Sequence, residues 1–201
     1  INWARVAAQI VYYFSTFQQL QSNRVSFSVP TGNFGDVLAG WVAKKMGLPI
    51  DKLIVATNDN DILDRAISTG DYFQEEVKAT TSPSMDIQIS SNFERLLFES
   101  LDRDPEKLRN LFKELKENNG FKIDNDTLTY IRNDFKSGKA SEEKVKDTIS
   151  RIHKASNIIL DPHTAVGFYA SASELNFDVP MVNLGTAHPA KFSNAVIDAI
   201  G

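Results

Sequence analysis

The sequence predicts an α/β domain: an open, mostly parallel sheet with helices on both faces and a helical insertion at about residues 91–155. Three observations predict it. Short runs of β-forming residues alternate with amphipathic runs of helical period, from Arg24 to Gly70 and again from Asn157 to Ile200. One of the β runs, "KLIVAT" at 52–57, is almost wholly apolar, as a strand covered on both faces must be. The 201 residues, 42% of them hydrophobic, suffice for one sizeable core.

Each element follows in order. Trp3, Val6, Ala7, Ile10, Phe14 and Phe17 recur at helical spacing, so the chain opens with an amphipathic helix. "RVSFSV", Arg24 to Val29, reads as a strand. Leu38, Trp41, Val42 and Met46 share one face of a second helix, with Gly47 at its C′ position. After the strand "KLIVAT", "DILDRAISTG" is a helix ending at Gly70, and "EEVKAT", Glu75 to Thr80, is expected as a third strand.

From residue 91 the texture is helical. Ser91 and Glu94 have capping-box spacing ahead of Phe93, Leu96, Leu97 and Leu101. Asp104 and Pro105 are an N-cap and an N1 proline for Leu108, Leu111, Phe112 and Leu115. Leu128, Ile131 and Phe135 mark a third helix, and Val145, Ile149 and Ile152 a fourth. Charge concentrates between Asp102 and Lys154, which gives these helices one wet face each. The sheet pattern resumes with "NIIL", Asn157 to Leu160, as a strand. Asp161 and Pro162 open the helix "HTAVGFYASASEL", "VPMVNLGT" is the last strand, and "HPAKFSNAVIDAI" the last helix.

Composition narrows the function classes. A net charge of −4 without a basic cluster argues against a nucleic-acid surface. With no cysteine, disulfide and thiolate chemistry are excluded within these residues, and His153, His163 and His188 lack metal-ligand spacing. No apolar run approaches membrane-spanning length and no signal-peptide pattern is seen, so a cytoplasmic protein with no membrane partner is expected.

The stretch "VPTGNFGDVLAG", Val29 to Gly40, carries the chemistry. A strand, a glycine-bearing turn and a helix start together offer unpaired N–H groups and the positive end of a helix dipole, which suit an anion. Gly32 and Gly35 permit close approach, Asn33 and Phe34 can flank a ligand, and Asp36 is better placed accepting N–H bonds in the first helical turn than facing an anion. The stretch lacks both the Walker G-K-[ST] and the G-x-G-x-x-G fingerprint, and an ordinary strand-to-helix turn remains open. "LDPHTAVG" at 160–167 and "NLGTAHPAKF" at 183–192 lie at two further strand ends, where ligands of parallel sheets bind.

Taken together, "INWARVAAQIVYYF", "GNFGD", "ATNDNDILDR", "SPSMDI", "ISSNFERLL", "ILDPHTAVG" and "TAHPAKF" resemble threonine synthase, in the branch of fungi and many bacteria, a fold type II enzyme using pyridoxal 5′-phosphate. The resemblance runs nearly end to end and is weakest in the helical insertion. It implies conversion of O-phospho-L-homoserine and water to L-threonine and phosphate. It also implies that Gly32, Asn33, Phe34, Gly35 and Asp36 form the cofactor's phosphate loop and that Thr186 faces the pyridine nitrogen, although a helix N-cap explains Thr186 as well. Asn2 and Arg5 lie in the family's "INWAR" stretch. Arg5 suits a substrate phosphate or a surface salt bridge alike. His163 either faces the site or fills a helix-terminal position, the latter being favoured. His188 and Lys191 either touch substrate or support the Thr186 loop. Ser90, Ser91 and Asn92 match a family stretch, with capping an alternative for Ser91.

One family feature is missing. The Schiff-base lysine of this family lies upstream of the GNFGD loop, and Lys44, Lys45 and Lys191 do not match it. Opening at Ile1, the chain is expected to be the C-terminal part of a longer enzyme, with no catalytic residue of its own, inactive alone, and monomeric or dimeric. A related pyridoxal-dependent phospho-lyase yielding a keto acid, or a non-catalytic phosphate-ligand module, are the alternative functions.

Overall fold

The computed structural model describes residues 2–201. Helix α1 (Trp3–Gln19) leads into strand β1 (Val25–Pro30), helix α2 (Gly35–Lys45), strand β2 (Ile50–Thr57), helix α3 (Ile62–Ser68) and the short strand β3 (Asp71–Phe73). Helices α4 (Phe93–Ser100) and α5 (Pro105–Asn118) follow, then strand β4 (Gly120–Lys122), helix α6 (Asn125–Asp134), strand β5 (Phe135–Lys139) and helix α7 (Glu142–Ser156). Helix α8 (Pro162–Ser171), strand β6 (Met181–Asn183) and helix α9 (Ser193–Ile200) complete the order.

Alternation along β2 explains the layering. Leu53 and Val55 enter one apolar cluster, with side chains of α1 to α6, while Ile54 and Ala56 enter a second, with α7 and α8. A strand whose odd and even residues are both buried must have helices on both faces. The sheet order is β5-β2-β1-β6 and all three pairings are parallel. The expected α/β class, open parallel sheet and two-sided helical cover are therefore present.

Local signals worked where one residue decides a helix end. Asp104 accepts from the Glu106 and Lys107 amides (2.9 and 3.2 Å) ahead of Pro105, and Asp161 caps α8 in the same way ahead of Pro162. Gly47 follows α2 with φ +106°, where a Cβ would be strained.

Four expectations need correction. Residues 75–80 form no strand, because Asn60 takes their backbone instead: its Oδ1 accepts from the Lys78 amide (2.9 Å) and its Nδ2 donates to the Lys78 carbonyl (2.9 Å). The local strand is β3, paired antiparallel with β4 in a separate ribbon. Residues 157–160 form no strand either. Asn157 ends α7 in the left-handed region (φ 59°), and Ile158 and Ile159 lie 55% and 42% exposed. The sheet position beside β2 belongs to β5, so the segment at 91–155 is not purely helical and contributes a strand to the main sheet. Accordingly α6 stops at Asp134 and Phe135 begins β5. Last, no capping box forms at α4: Asn92 is the N-cap without a side-chain cap bond, and its Nδ2 donates to the Asn33 carbonyl (2.9 Å).

Candidate functional site

At the carboxyl end of β1 the Thr31 amide still donates to the Ala56 carbonyl (2.8 Å), and then the chain leaves the sheet. Gly32 passes so close to a neighbouring segment that an ideal Cβ would lie 2.7 Å from the Ser84 carbonyl oxygen. Only glycine fits there. Asn33 folds back, its Oδ1 accepting from the Gly35 amide (2.9 Å). Phe34 is left-handed (φ 66°, ψ 8°) just before α2. A bulky residue in that region needs a compensating contact. Phe34 has one: its ring is fully buried, edge-on to Phe93 (5.3 Å) and tilted against Phe135 (5.7 Å). The side chain of Phe34 therefore anchors the loop in the core, and the residue is buried whole.

The result is a concave run of donors. Among the described residues, the amides of Gly32, Asn33, Phe34 and Asp36 find no protein acceptor. Buried or half-buried N–H groups are normally paired, so a set of free ones at a helix start marks a place for an anion.

Asp36 does not accept helix amides as expected. The Tyr13 hydroxyl donates to its carbonyl (2.9 Å) and its Oδ1 (3.2 Å). Burial pushes the Asp36 carboxyl above its ordinary range, and the Tyr13 hydroxyl offsets this only in part. Burial and the adjoining carboxylate in turn push the Tyr13 hydroxyl well above its usual value. Because the folded Asp36 holds its proton more tightly than the unfolded one, its ionisation costs stability as pH rises above the unfolded value. Asp36→Asn is therefore expected to raise the urea midpoint at pH 7. The gain should shrink as pH falls towards the ordinary carboxyl range and be absent below it. A midpoint gain that is flat with pH would contradict this.

A cavity of about 430 Å³ opens over the loop. Gly32, Asn33, Gly35 and Asp36 line it from one side, Asn2 and Arg5 from α1, His163 from α8, and Thr186 from the segment after β6. The structure thus gathers four sequence-distant stretches on one cavity, two of which, the Gly32–Asp36 turn and the Thr186 segment, follow the carboxyl ends of the neighbouring parallel strands β1 and β6. Asn2 also caps α1, accepting from the Ala4 amide (2.9 Å). Arg5 forms no ion pair among the described residues, unlike Arg24, Arg65, Arg103 and Arg109, so the salt-bridge alternative is not realised.

His163 is buried and engaged at both ring nitrogens. Its Nδ1 lies 3.1 Å from Asp161 Oδ1, and its Nε2 accepts from the Ser84 amide (3.4 Å). Asp161 needs that company. Burial alone would lift its pKa, but hydrogen bonds from His163 and Thr164 outweigh burial and hold it below the usual carboxylate range. His163 is thus a helix-end residue that also forms cavity wall. His188 and Lys191 do not line the cavity. His188 accepts from the Ala190 amide (3.2 Å) and caps a short 3-10 turn at Pro189–Phe192, while Lys191 borders a separate depression with Thr80, Thr81 and Pro83. Among the described residues, no lysine lines this cavity.

Ser84 and Met85 also line the cavity, and no sequence signal assigned them. The Pro83 turn and the family-like "SPSMDI" marked the segment, but its contact with Gly32 is tertiary. Ser91 and Asn92 complete this wall, and Ser90 supports it by donating its hydroxyl to the Gly32 carbonyl (2.9 Å).

The family model described as "Threonine synthase, C-terminal" matches residues 164–201. The chain is 47% identical over 223 residues to the threonine synthase of Saccharomyces cerevisiae, covering 100% of this chain and 43% of that protein. The X-ray structure of PLP-bound threonine synthase from Brucella melitensis superposes with a TM-score of 0.98 at 51% identity, over 100% of this chain and 44% of that one. Threonine deaminase isoform 2 from Solanum lycopersicum, at 11% identity and a TM-score of 0.58 over 96% of this chain and 47% of that one, shares the fold alone. The chain spans less than half the length of the curated relatives it matches. The likeness to threonine synthases read from the motifs is borne out along the whole chain, and the fold is that of fold type II pyridoxal-phosphate enzymes.

Proposed function

We propose that this chain is the cofactor-holding part of a threonine synthase, an enzyme converting O-phospho-L-homoserine and water to L-threonine and phosphate. One observation supports this above the others: Gly32, Asn33 and Asp36, whose amides have no protein acceptor among the described residues, border one cavity with Thr186. Pyridoxal 5′-phosphate has a dianion at one end and a ring nitrogen at the other, and the donor set suits both. The Gly32 approach to Ser84 shapes the cradle at the phosphate end.

In this reading the chain's residues have distinct tasks. The amides of Gly32, Asn33 and Asp36 hold the phosphate through charge-assisted hydrogen bonds, reinforced by the α2 dipole, and buried Phe34 fixes the turn between them. The Gly35 amide, already held by Asn33 Oδ1, keeps the turn in shape. Thr186 donates its hydroxyl to a neutral ring nitrogen, which an aspartate in its place would protonate. When bound, the cofactor supplies an electron sink for carbanions formed on the substrate. A ring left neutral is a weaker sink, suited to elimination and replacement. Unpaired Arg5, with Asn2 beside it, receives the substrate's phosphate as a planar two-pronged donor. His188 and Lys191, off the cavity, support the Thr186 segment. The lysine that carries the cofactor and moves the substrate's α-proton is supplied by the rest of the enzyme.

The test is product identity. The intact protein, loaded with pyridoxal phosphate and given O-phospho-L-homoserine, is expected to release threonine and phosphate in equal amounts, and the 201-residue chain alone to release neither. Accumulation of 2-oxobutyrate instead would assign a phospho-lyase. Failure of the intact protein to take up the cofactor would overturn the reading altogether.

A further inference from the structure

The wall facing the phosphate loop is made by a segment with no place in either sheet. Ser84 and Met85 lie in a short 3-10 turn, Pro83–Met85, between β3 and α4. The Ser84 carbonyl sits against Gly32, and its amide reaches His163 Nε2. Something must hold this turn, since a strand ladder does not.

The holding group is the carboxylate of Asp86. Its Oδ1 accepts from Asn58 Nδ2 (2.8 Å), Asn60 Nδ2 (3.0 Å) and the Thr80 hydroxyl (2.6 Å), and its Oδ2 accepts from the Thr80 amide (2.9 Å). Four neutral donors converge on it, and no cation among the described residues pairs with it. Asn58 and Asn60 are buried and follow β2 directly, and Ala56 of β2 pairs with Pro30 of β1 at the root of the phosphate loop. The carboxylate therefore ties the 80–86 segment to the same sheet edge from which the Gly32 turn springs.

We propose that Asp86 is a positioning residue for the cofactor site: by gathering Asn58, Asn60 and Thr80 it sets the distance between the Ser84 turn and the Gly32–Asp36 amides. The proposal rests on the reading of that site as a pyridoxal-phosphate site. It requires an acid and not its amide. Asparagine at 86 would present an NH₂ to at least one of donors that now converge on oxygen, and that pair would separate. The buried donors left without an acceptor would draw the segment away from its present place.

Asp86→Asn in the intact protein is expected to weaken pyridoxal phosphate binding at least tenfold and to alter the visible circular dichroism band of the bound cofactor. Thr80→Val, which removes one donor and keeps the backbone one, is expected to shift both in the same direction by a smaller amount and remains informative should Asp86→Asn fail to fold. Ser82→Ala, which removes an acceptor of Asn58 but no contact to Asp86, is expected to leave the cofactor band as it is. If the folded Asp86 and Thr80 variants keep the parental affinity and band, and only their urea midpoints fall, the positioning role is overturned while the cofactor assignment stands. A parent protein that binds no pyridoxal phosphate overturns the assignment and this inference with it.

Discussion

Replacing Gly32 with alanine is expected to cost the intact protein its hold on pyridoxal phosphate while leaving the chain folded. The added Cβ would lie 2.7 Å from the Ser84 carbonyl oxygen and 3.3 Å from Met85 Cα. Both are backbone atoms, so no side-chain rotation relieves the clash. The Ser84 turn is held through Asp86 by four hydrogen bonds, and its amide is held by His163. The Gly32 turn must therefore give way, and it carries the free amides. Charge-assisted hydrogen bonds contribute about 1.5–3 kcal/mol each. Losing two of them weakens binding by roughly 10²-fold or more. Fluorescence titration of the cofactor checks this, and an affinity within threefold of the parent would refute it. The core changes little, since Gly32 borders the cavity and not the apolar clusters.

How much of this was legible beforehand depended on how local the cause is. The strand–turn–helix unit from Val25 to Lys45 was plain, because alternation, two glycines and a C′ glycine all act within a few residues. The caps at Asp104 and Asp161 were plain for the same reason. β5 was not. "FKSGK" has one apolar residue and a glycine, and it is a strand because β2 offers it an edge and Gly138 lets Ala170 of α8 approach to 3.0 Å of where its Cβ would be. "NIIL" misleads in the opposite sense: β-branched residues favour a strand only where a partner strand exists, and there none does. At the site, motif and strand-end position pointed to the Gly32–Asp36 turn, while Thr186 entered only through the family resemblance. The place of the Ser84 wall was not legible, since the half-buried Asp86 carboxylate beside it meets Asn58 and Asn60, more than twenty residues away, as well as the nearer Thr80. Phe34 shows the same limit within the motif itself. Proximity to the glycines suggested a ligand contact, but its ring belongs to the core.

That double character of Phe34 yields an ordering of stabilities that side-chain size alone would not give. The ring is fully buried between Phe93 and Phe135, so truncation to alanine removes a large aromatic and leaves a cavity, a loss of about 3–5 kcal/mol. Its backbone, however, sits at φ 66°, where any Cβ is strained by roughly 1 kcal/mol relative to glycine. Phe34→Gly opens a similar cavity but removes that strain. Glycine also loses more freedom on folding, but in the left-handed region it is the residue that fits. Phe34→Leu keeps most of the volume and all of the strain. The expected order of urea midpoints is therefore parent, then leucine, then glycine, then alanine, with glycine above alanine despite being smaller. If alanine proves the more stable of the two, the left-handed turn is not strained as described, and the aromatic contacts alone would account for the loop's conformation. If the order holds, a buried ring is holding the backbone of the Gly32–Asp36 turn in a conformation it would not otherwise keep. Cofactor affinity should then fall with stability across the leucine and alanine variants, and least in the glycine variant relative to its loss of core packing.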